Sequence, residues 1–226
     1  MKAISIQNPF AHWIMTGEKT IEVRSWNTEH RGDLLICSSA APKIPAMISG
    51  HALCIVSLDK VTQFRKTHLE AACMDEMPES GSFAWHLSNV RIVKPFPVKG
   101  KLNFYYVDDE LIEVIDDGNL SPEEADDVFM KYIAPVSYKY GKIGCYYLEK
   151  VSGDLIRWRV GQASLEYMSR GTPEWKLTDP TSEYEKAFYD GEGNCELEQI
   201  TDKKAHKILD DWGVESPYGE DDEIKL

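Results

Sequence analysis

The chain has 226 residues, 42% of them hydrophobic, and a formal net charge of −13 at pH 7. This size and composition allow a buried core and are large for a single compact domain. No stretch approaches the roughly 18 apolar residues of a membrane span, and the first residues lead into a strand pattern rather than a signal peptide. We therefore expect a cytoplasmic protein with no membrane partner.

The first segment predicts a short strand followed by a short helix. Isoleucines alternate with polar residues before Asn8, as in a half-buried strand. Asn8 can cap a helix and Pro9 suits the first helical position. Three apolar residues then recur at helical spacing: Phe10, Trp13 and Ile14. Gly17 follows where a left-handed residue closes a helix.

The next segment, from Thr20 to Trp26, alternates with a period of two and predicts a strand. Its apolar face belongs to the core, and its polar face carries Thr20, Glu22 and Arg24. These side chains form the floor of a groove in one interpretation. In the other they belong to a solvated strand face with a cross-strand ion pair worth about 0.2–1 kcal/mol. Lys19 starts on the opposite face unless the turn at Gly17 redirects it.

The rest of the first half contains further strands. Three apolar or alternating runs predict them, at residues 34–36, 50–58 and 83–92. Ser38 and Ser39 offer hydroxyls at the end of the first of these runs, although such serines are also common in turns. Residues 62–75 carry apolar residues among charges and predict a helical segment.

Four segments together resemble the ASCH domain (activating signal cointegrator homology) of the PUA-like superfamily. They are Gln7–Ile14, Gly17–Trp26, Arg31–Ser38, and Trp85–Lys101 with its Pro-Val-Lys-Gly turn. The resemblance covers about residues 1–115. It implies an α+β fold, a small mixed β-barrel with flanking helices, whose cleft handles RNA, DNA or modified nucleosides.

The second half differs in charge and resembles no known family. Residues 1–107 carry a net charge of +3, whereas residues 108–226 carry −16. We therefore expect an acidic α+β extension over residues 116–226, with a mobile tail from about residue 216. The acidic surface would repel nucleic acid at long range and could engage a protein partner, while a local basic groove still binds nucleic acid.

Three elements are predicted in this half. Ser121 and Pro122 open a capping-box helix that ends before Pro135. Residues 142–151 read as a strand, and Thr201 caps a helix that ends at Gly213. The segments between them are expected to be loops.

The five cysteines are odd in number and contain no C-x-x-C pair. Cys37 and Cys54 lie in apolar strand patterns, which predicts buried free thiols. The cysteines and the six histidines show no zinc-ligand spacing, so we expect no metal and no cofactor.

If the chain is an enzyme, Lys19 and Glu22 are the candidate catalytic residues. Small ASCH relatives that hydrolyse N4-acetylcytidine carry a Lys-Thr-Ile-Thr-Ile-Arg segment in which the lysine and second threonine are catalytic. Here Lys19, Thr20 and Arg24 match, but Glu22 replaces the second threonine. A carboxylate cannot replace a hydroxyl nucleophile, so Glu22 would act as a general base or orient the cations.

Six residues are candidates for ligand binding, through base edges, phosphates, stacking or hydroxyl contacts. They are Asn8, Thr20, Arg24, Trp26, Ser38 and Ser39. The first functional hypothesis is binding of RNA, another single-stranded nucleic acid or a modified nucleoside. The alternatives are a small hydrolase, either an N4-acetylcytidine-like amidohydrolase or a ribonuclease, and a regulatory protein-interaction module.

Overall fold

The computed structural model describes residues 1–189, 191 and 193–214. It divides into two compact units, one spanning Met1–Tyr138 and a second that begins at Lys139. The tail expected from about residue 216 lies outside the described residues. No helix within the described ranges is long and apolar enough to cross a bilayer.

The first unit is built on one mixed sheet. Its strands are β1 (Lys2–Ile6), β2 (Ile21–Arg24), β3 (Gly32–Ser38), β4 (Ala52–Gln63), β5 (Phe83–Val93), β6 (Tyr105–Tyr106) and β7 (Val114–Asp116). Their order is β2-β5-β4-β3-β1-β6, with β7 paired to β5. β1 and β3 run parallel and the other pairs are antiparallel. No strand pairing among the described residues joins β2 to β6, so the predicted small mixed β-barrel is present as a curled half-barrel.

Two helices and several single turns complete this unit. The helices are α1 (Phe10–Met15) and α2 (Pro122–Val128). A π-helical turn spans Phe129–Ile133, and 3-10 turns span Lys66–His68, Glu70–Ala72, Asp109–Leu111 and Ala134–Val136. The predicted capping box at Ser121 is confirmed. The Ser121 hydroxyl accepts a hydrogen bond from the Glu124 amide, and the Glu124 carboxylate accepts one from the Ser121 amide.

Two local predictions for this unit need correction. Asn8 does not cap α1, because its side chain donates instead to the Ile48 carbonyl at 2.8 Å and Pro9 holds the N-cap position. The predicted helix over residues 62–75 is wrong in extent, since β4 continues to Gln63 and only two 3-10 turns follow. These short turns already bury the apolar residues of the segment, since Leu69, Ala72 and Met74 pack in a cluster with Ile21.

The core of the first unit explains where the division falls. Trp85 is fully buried at its centre, with the buried Ile4, Leu34 and Val56 in the same cluster. Ile133, 2% exposed, packs into this cluster too. The division therefore follows Tyr138 instead of lying near residue 115, and residues 108–138, with net charge −9, belong to the first unit.

The second unit contains an antiparallel sheet with strands β8 (Ile143–Glu149), β9 (Leu155–Arg159), β10 (Glu166–Ser169), β11 (Thr172–Leu177) and β12 (Leu197–Ile200). Their order is β11-β10-β9-β8-β12. The helices are α3 (Glu183–Tyr189) and α4 (Asp202–Asp211), the latter capped by the Thr201 hydroxyl as predicted. The loops expected between β8 and α4 instead hold four short strands and α3. These strands are short and rich in polar residues, so the sequence shows no clear two-residue period there.

Candidate functional site

A cleft of about 660 Å³ opens in the first unit beside β1, β2 and the loop before β6. Its described polar lining comes from eight residues: Ser5, Gln7, Lys19, Glu22, Arg24, Ser39, Lys101 and Asn103. Apolar contacts come chiefly from Phe10, Met74 and Leu102. The volume lies within the 300–1,000 Å³ that small-molecule sites usually have.

Lys19 lies at the floor of this cleft because the chain turns sharply after α1. Gly17 adopts a left-handed φ of 81°, as predicted, and the Lys19 amide donates a hydrogen bond to the Trp13 carbonyl. β2 begins only at Ile21, so the two-residue period does not extend back to Lys19. The Lys19 side chain is therefore free to enter the cleft, where its Nζ donates to the Ala72 carbonyl at 2.7 Å.

Glu22 joins the two basic side chains into one cluster. Its Oε2 lies 3.6 Å from Lys19 Nζ, and its Oε1 lies 3.1 Å from Arg24 Nε. Lys19 is 3% exposed and Glu22 is 8% exposed. Glu22 stands opposite Trp85 in the β2–β5 ladder, so the carboxylate lies on the core side of the strand.

Arg24 bridges the open edge of the half-barrel. Its Nη2 donates to the Ser5 carbonyl of β1 at 3.2 Å, although β1 and β2 are not neighbours in the sheet. Arg24 Nε is close enough to Glu22 for an ion pair but makes no aligned hydrogen bond to any described residue. The guanidinium thus keeps donor capacity beside the cleft.

Burial and the neighbouring carboxylate shift the pKa of Lys19 in opposite directions. Removal from water lowers the pKa of Lys19, because desolvation disfavours the ammonium form. The neighbouring Glu22 carboxylate raises this pKa and offsets part of the desolvation. A lysine held in this balance can be an ion-pair partner or, when neutral, a base.

The rim of the cleft depends on a close approach at Gly100. A Cβ there would lie 2.6 Å from Ser5 Oγ, and that hydroxyl is within 2.9 Å of the Tyr105 hydroxyl. The chain therefore crosses β1 at van der Waals distance and carries Lys101 and Leu102 to the mouth. The Leu102 side chain is 93% exposed there.

Four of the predicted site residues do not line the cleft. Thr20 is exposed and lies outside the described lining. Trp26 is not the expected stacking platform, because it packs edge-on against Trp85 and Phe104 at centroid distances of 4.7 and 5.1 Å. Ser38 is buried and pairs with the His51 backbone, and Asn8 is tied to Ile48.

The cleft also contains residues that were not predicted. Lys101 lies at the rim, and the ring centroid of Phe10 lies 5.1 Å from Lys19 Nζ. Lys101 directly follows the Pro-Val-Lys-Gly turn. Its place next to this turn is the feature of the sequence from which a role in the cleft could have been predicted. Met74 gave no signal, because it reaches the cleft only through the irregular turns after β4.

Two comparisons with known proteins report similarity to the ASCH domain. The sequence model of the ASCH domain matches residues 4–97. Among solved structures, the ASCH protein from Zymomonas mobilis is 15% identical, with a TM-score of 0.40, covering 48% of this chain and 88% of that chain.

Two single-substitution variants of the Zymomonas mobilis protein also match. Both are 14% identical and cover 57% of this chain, with TM-scores of 0.35 and 0.36 and coverage of 96% and 94% of those chains. A search of curated proteins finds no match. The segment that matches the ASCH domain model, residues 4–97, contains Lys19, Glu22 and Arg24.

Proposed function

We propose that the cleft binds one nucleotide unit of single-stranded RNA, with a free modified nucleoside as the small-molecule form of the same ligand. The observation that carries the proposal is the Lys19–Glu22–Arg24 cluster on the floor, with Lys101 at the rim. Three cations face one carboxylate among the described lining residues. This excess of positive charge favours an anionic ligand such as phosphate.

The apolar and polar parts of the lining suit the two parts of a nucleotide. Phe10, Met74 and Leu102 offer surfaces against which a base can pack. Arg24 and Lys101 offer donors for phosphate oxygens. The local charge matters because the first unit as a whole is acidic, so binding depends on this cleft rather than on a general basic surface.

The test is titration of the full chain with a short fluorescent single-stranded RNA, with nucleosides as competitors. Arg24→Ala should weaken binding at least tenfold, since a charge-assisted hydrogen bond is worth roughly 1.5–3 kcal/mol. Lys60→Ala is the matched control, because Lys60 is exposed on β4 and lies outside the cleft lining. Equal loss in both variants would point to non-specific charge attraction and would contradict the proposal.

A second candidate function, hydrolysis in the same cleft, is favoured by one observation. Lys19 is buried with a lowered pKa, 3.6 Å from a carboxylate, at the floor of an open cleft. A neutral lysine or Glu22 could take a proton from water as it adds to an acyl carbon. Thr20 lies outside the described lining, so a threonine nucleophile is not favoured.

Turnover of N4-acetylcytidine to cytidine and acetate tests this alternative. Product formation at about 1 per second or faster by the intact chain, lost in Lys19→Ala, would favour the hydrolase over the binding protein. Binding without product formation would favour the first proposal. Turnover that survives Lys19→Ala would place the chemistry outside this cluster.

A further inference from the structure

The second unit contains a separate recess at the end of α3, which we call the α3 recess. Its volume is about 520 Å³, and its described lining includes Tyr147, Trp158, Gln162, Phe188, Tyr189 and Gln199. Four of these six residues are aromatic and two carry side-chain amides. None of the described lining residues is charged.

The recess exists because the two helices cover opposite faces of the second sheet. Tyr146 faces α4 and lies in the core cluster with Ala205 and Leu209. Tyr147, the next residue of β8, therefore points to the other face, where its ring meets Phe188 of α3 edge-on at 5.4 Å. α3 has seven residues, and among the described residues it covers only part of this face, with the recess beside its C-terminal residues Phe188 and Tyr189.

One wall of the recess is held rigidly. A Cβ on Gly144 would lie 2.3 Å from the Trp158 ring, so only glycine lets that ring lie against β8. Trp158 Nε1 also donates to the Gln162 carbonyl at 3.3 Å. A rigid aromatic wall costs little conformational entropy when a flat ligand binds against it.

A second part of the lining is aromatic as well and partly exposed. Phe188 and Tyr189 meet edge-on at 4.7 Å, and the Tyr189 hydroxyl donates to the Ala163 carbonyl at 2.8 Å. Tyr189 remains 54% exposed. Large aromatic surface that is fixed in place yet open to solvent is typical of binding sites rather than of a core.

The polar groups in the recess are neutral. Gln162 Oε1 is buried and accepts no hydrogen bond from any described residue. Gln162 itself lines the recess, and the broad terminal torsion of a glutamine side chain gives this oxygen freedom to meet a ligand there. Burial raises the pKa of the Cys145 thiol, which also lines the recess and is therefore neutral at pH 7.

We infer that the α3 recess binds a flat, uncharged aromatic heterocycle that carries an N–H donor. The aromatic walls select flat molecules by stacking and edge contacts. The unpaired Gln162 acceptor selects a donor, because a buried acceptor gains most from the hydrogen bond that it lacks. An anionic ring would find no cation among the described lining residues.

Indole is a suitable probe, since it is flat and has a single N–H. The full chain labelled with 5-fluorotryptophan gives one fluorine resonance for each of its six tryptophans, and Trp158→Phe identifies that of Trp158. Indole should shift the Trp158 resonance selectively, with a Kd on the order of 100 μM. 1-Methylindole, which lacks the donor, should bind about fivefold more weakly, and indole-2-carboxylate should not bind.

Two variants test the assignment without disturbing the core. Gln162→Leu should make indole and 1-methylindole bind equally, and Tyr189→Ser should weaken both. Gln63→Leu, at an exposed position of β4, is the matched control and should change nothing. The inference is overturned if millimolar indole leaves Trp158 unshifted, if Gln162→Leu preserves the preference for indole, or if Tyr189→Ser leaves indole affinity unchanged.

Discussion

Substitution of Glu22 by alanine tests the buried cluster most sharply. In wild type the Glu22 carboxylate partners Lys19, which is 3% exposed, and Arg24. Without it, Lys19 keeps the Ala72 carbonyl at 2.7 Å and the Phe10 ring at 5.1 Å, but no carboxylate among the described residues. Removing one partner of a buried pair usually costs about 3–5 kcal/mol, because an uncompensated charge stays behind. We expect a loss of about 3 kcal/mol at pH 7, roughly 10 °C in Tm for a unit of this size.

The pH dependence distinguishes this cause from a simple packing loss. Burial lowers the pKa of Lys19 in the folded state, and loss of Glu22 lowers it further. Between this lowered pKa and the ordinary lysine pKa, the unfolded chain binds more protons than the folded chain. Stability therefore rises with pH between these two values. The destabilisation by Glu22→Ala should therefore shrink by up to about 1.4 kcal/mol per pH unit once Lys19 releases its proton.

Urea unfolding followed by circular dichroism at pH 7 and pH 9.5 measures both effects. Glu29→Ala is the matched control, since Glu29 is exposed and outside the cluster. Its effect should stay within about 0.5 kcal/mol at both pH values. A loss below about 1 kcal/mol for Glu22→Ala at pH 7, or a larger loss at pH 9.5 than at pH 7, would refute the account of a desolvated lysine held by its carboxylate.

Three further substitutions have defined outcomes. Gly100→Ala places a Cβ 2.6 Å from Ser5 Oγ, so the rim of the cleft must shift. RNA affinity should fall and the free energy of unfolding should drop by about 1–3 kcal/mol, and an unchanged RNA affinity would contradict this. Trp26→Ala should cost about 3 kcal/mol in urea unfolding but leave RNA affinity within twofold, whereas a large affinity loss would restore its role in stacking. Asn8→Ala should cost about 1–3 kcal/mol by leaving the Ile48 carbonyl unpaired, and an unchanged urea midpoint would contradict that.

Sequence patterns predicted the longer strands of the first unit because their apolar or alternating runs extend over many residues. The continuous apolar run of β4 and the alternation of β5 were both visible in this way. The burial of Cys37 and Cys54 as free thiols was also confirmed. The short strands β9 to β12 were missed, since four to six residues with mixed charges carry no distinctive period.

The site was harder to predict than the fold. Strand periodicity gave Glu22 and Arg24 correctly as neighbours but could not place Lys19, because the turn at Gly17 decides its direction. Trp26 looked like a surface aromatic since polar residues flank it, yet its ring packs edge-on against Trp85 and Phe104. Such contacts depend on residues distant in sequence, which local patterns do not report.

The most direct test of the proposed function is a crystal structure of the full chain with cytidine 5′-monophosphate or a short RNA. The account predicts the base against Phe10, Met74 or Leu102 and a phosphate oxygen within hydrogen-bonding distance of Arg24 or Lys101. A ligand bound outside this cleft, or a cleft empty at saturating ligand, would contradict it.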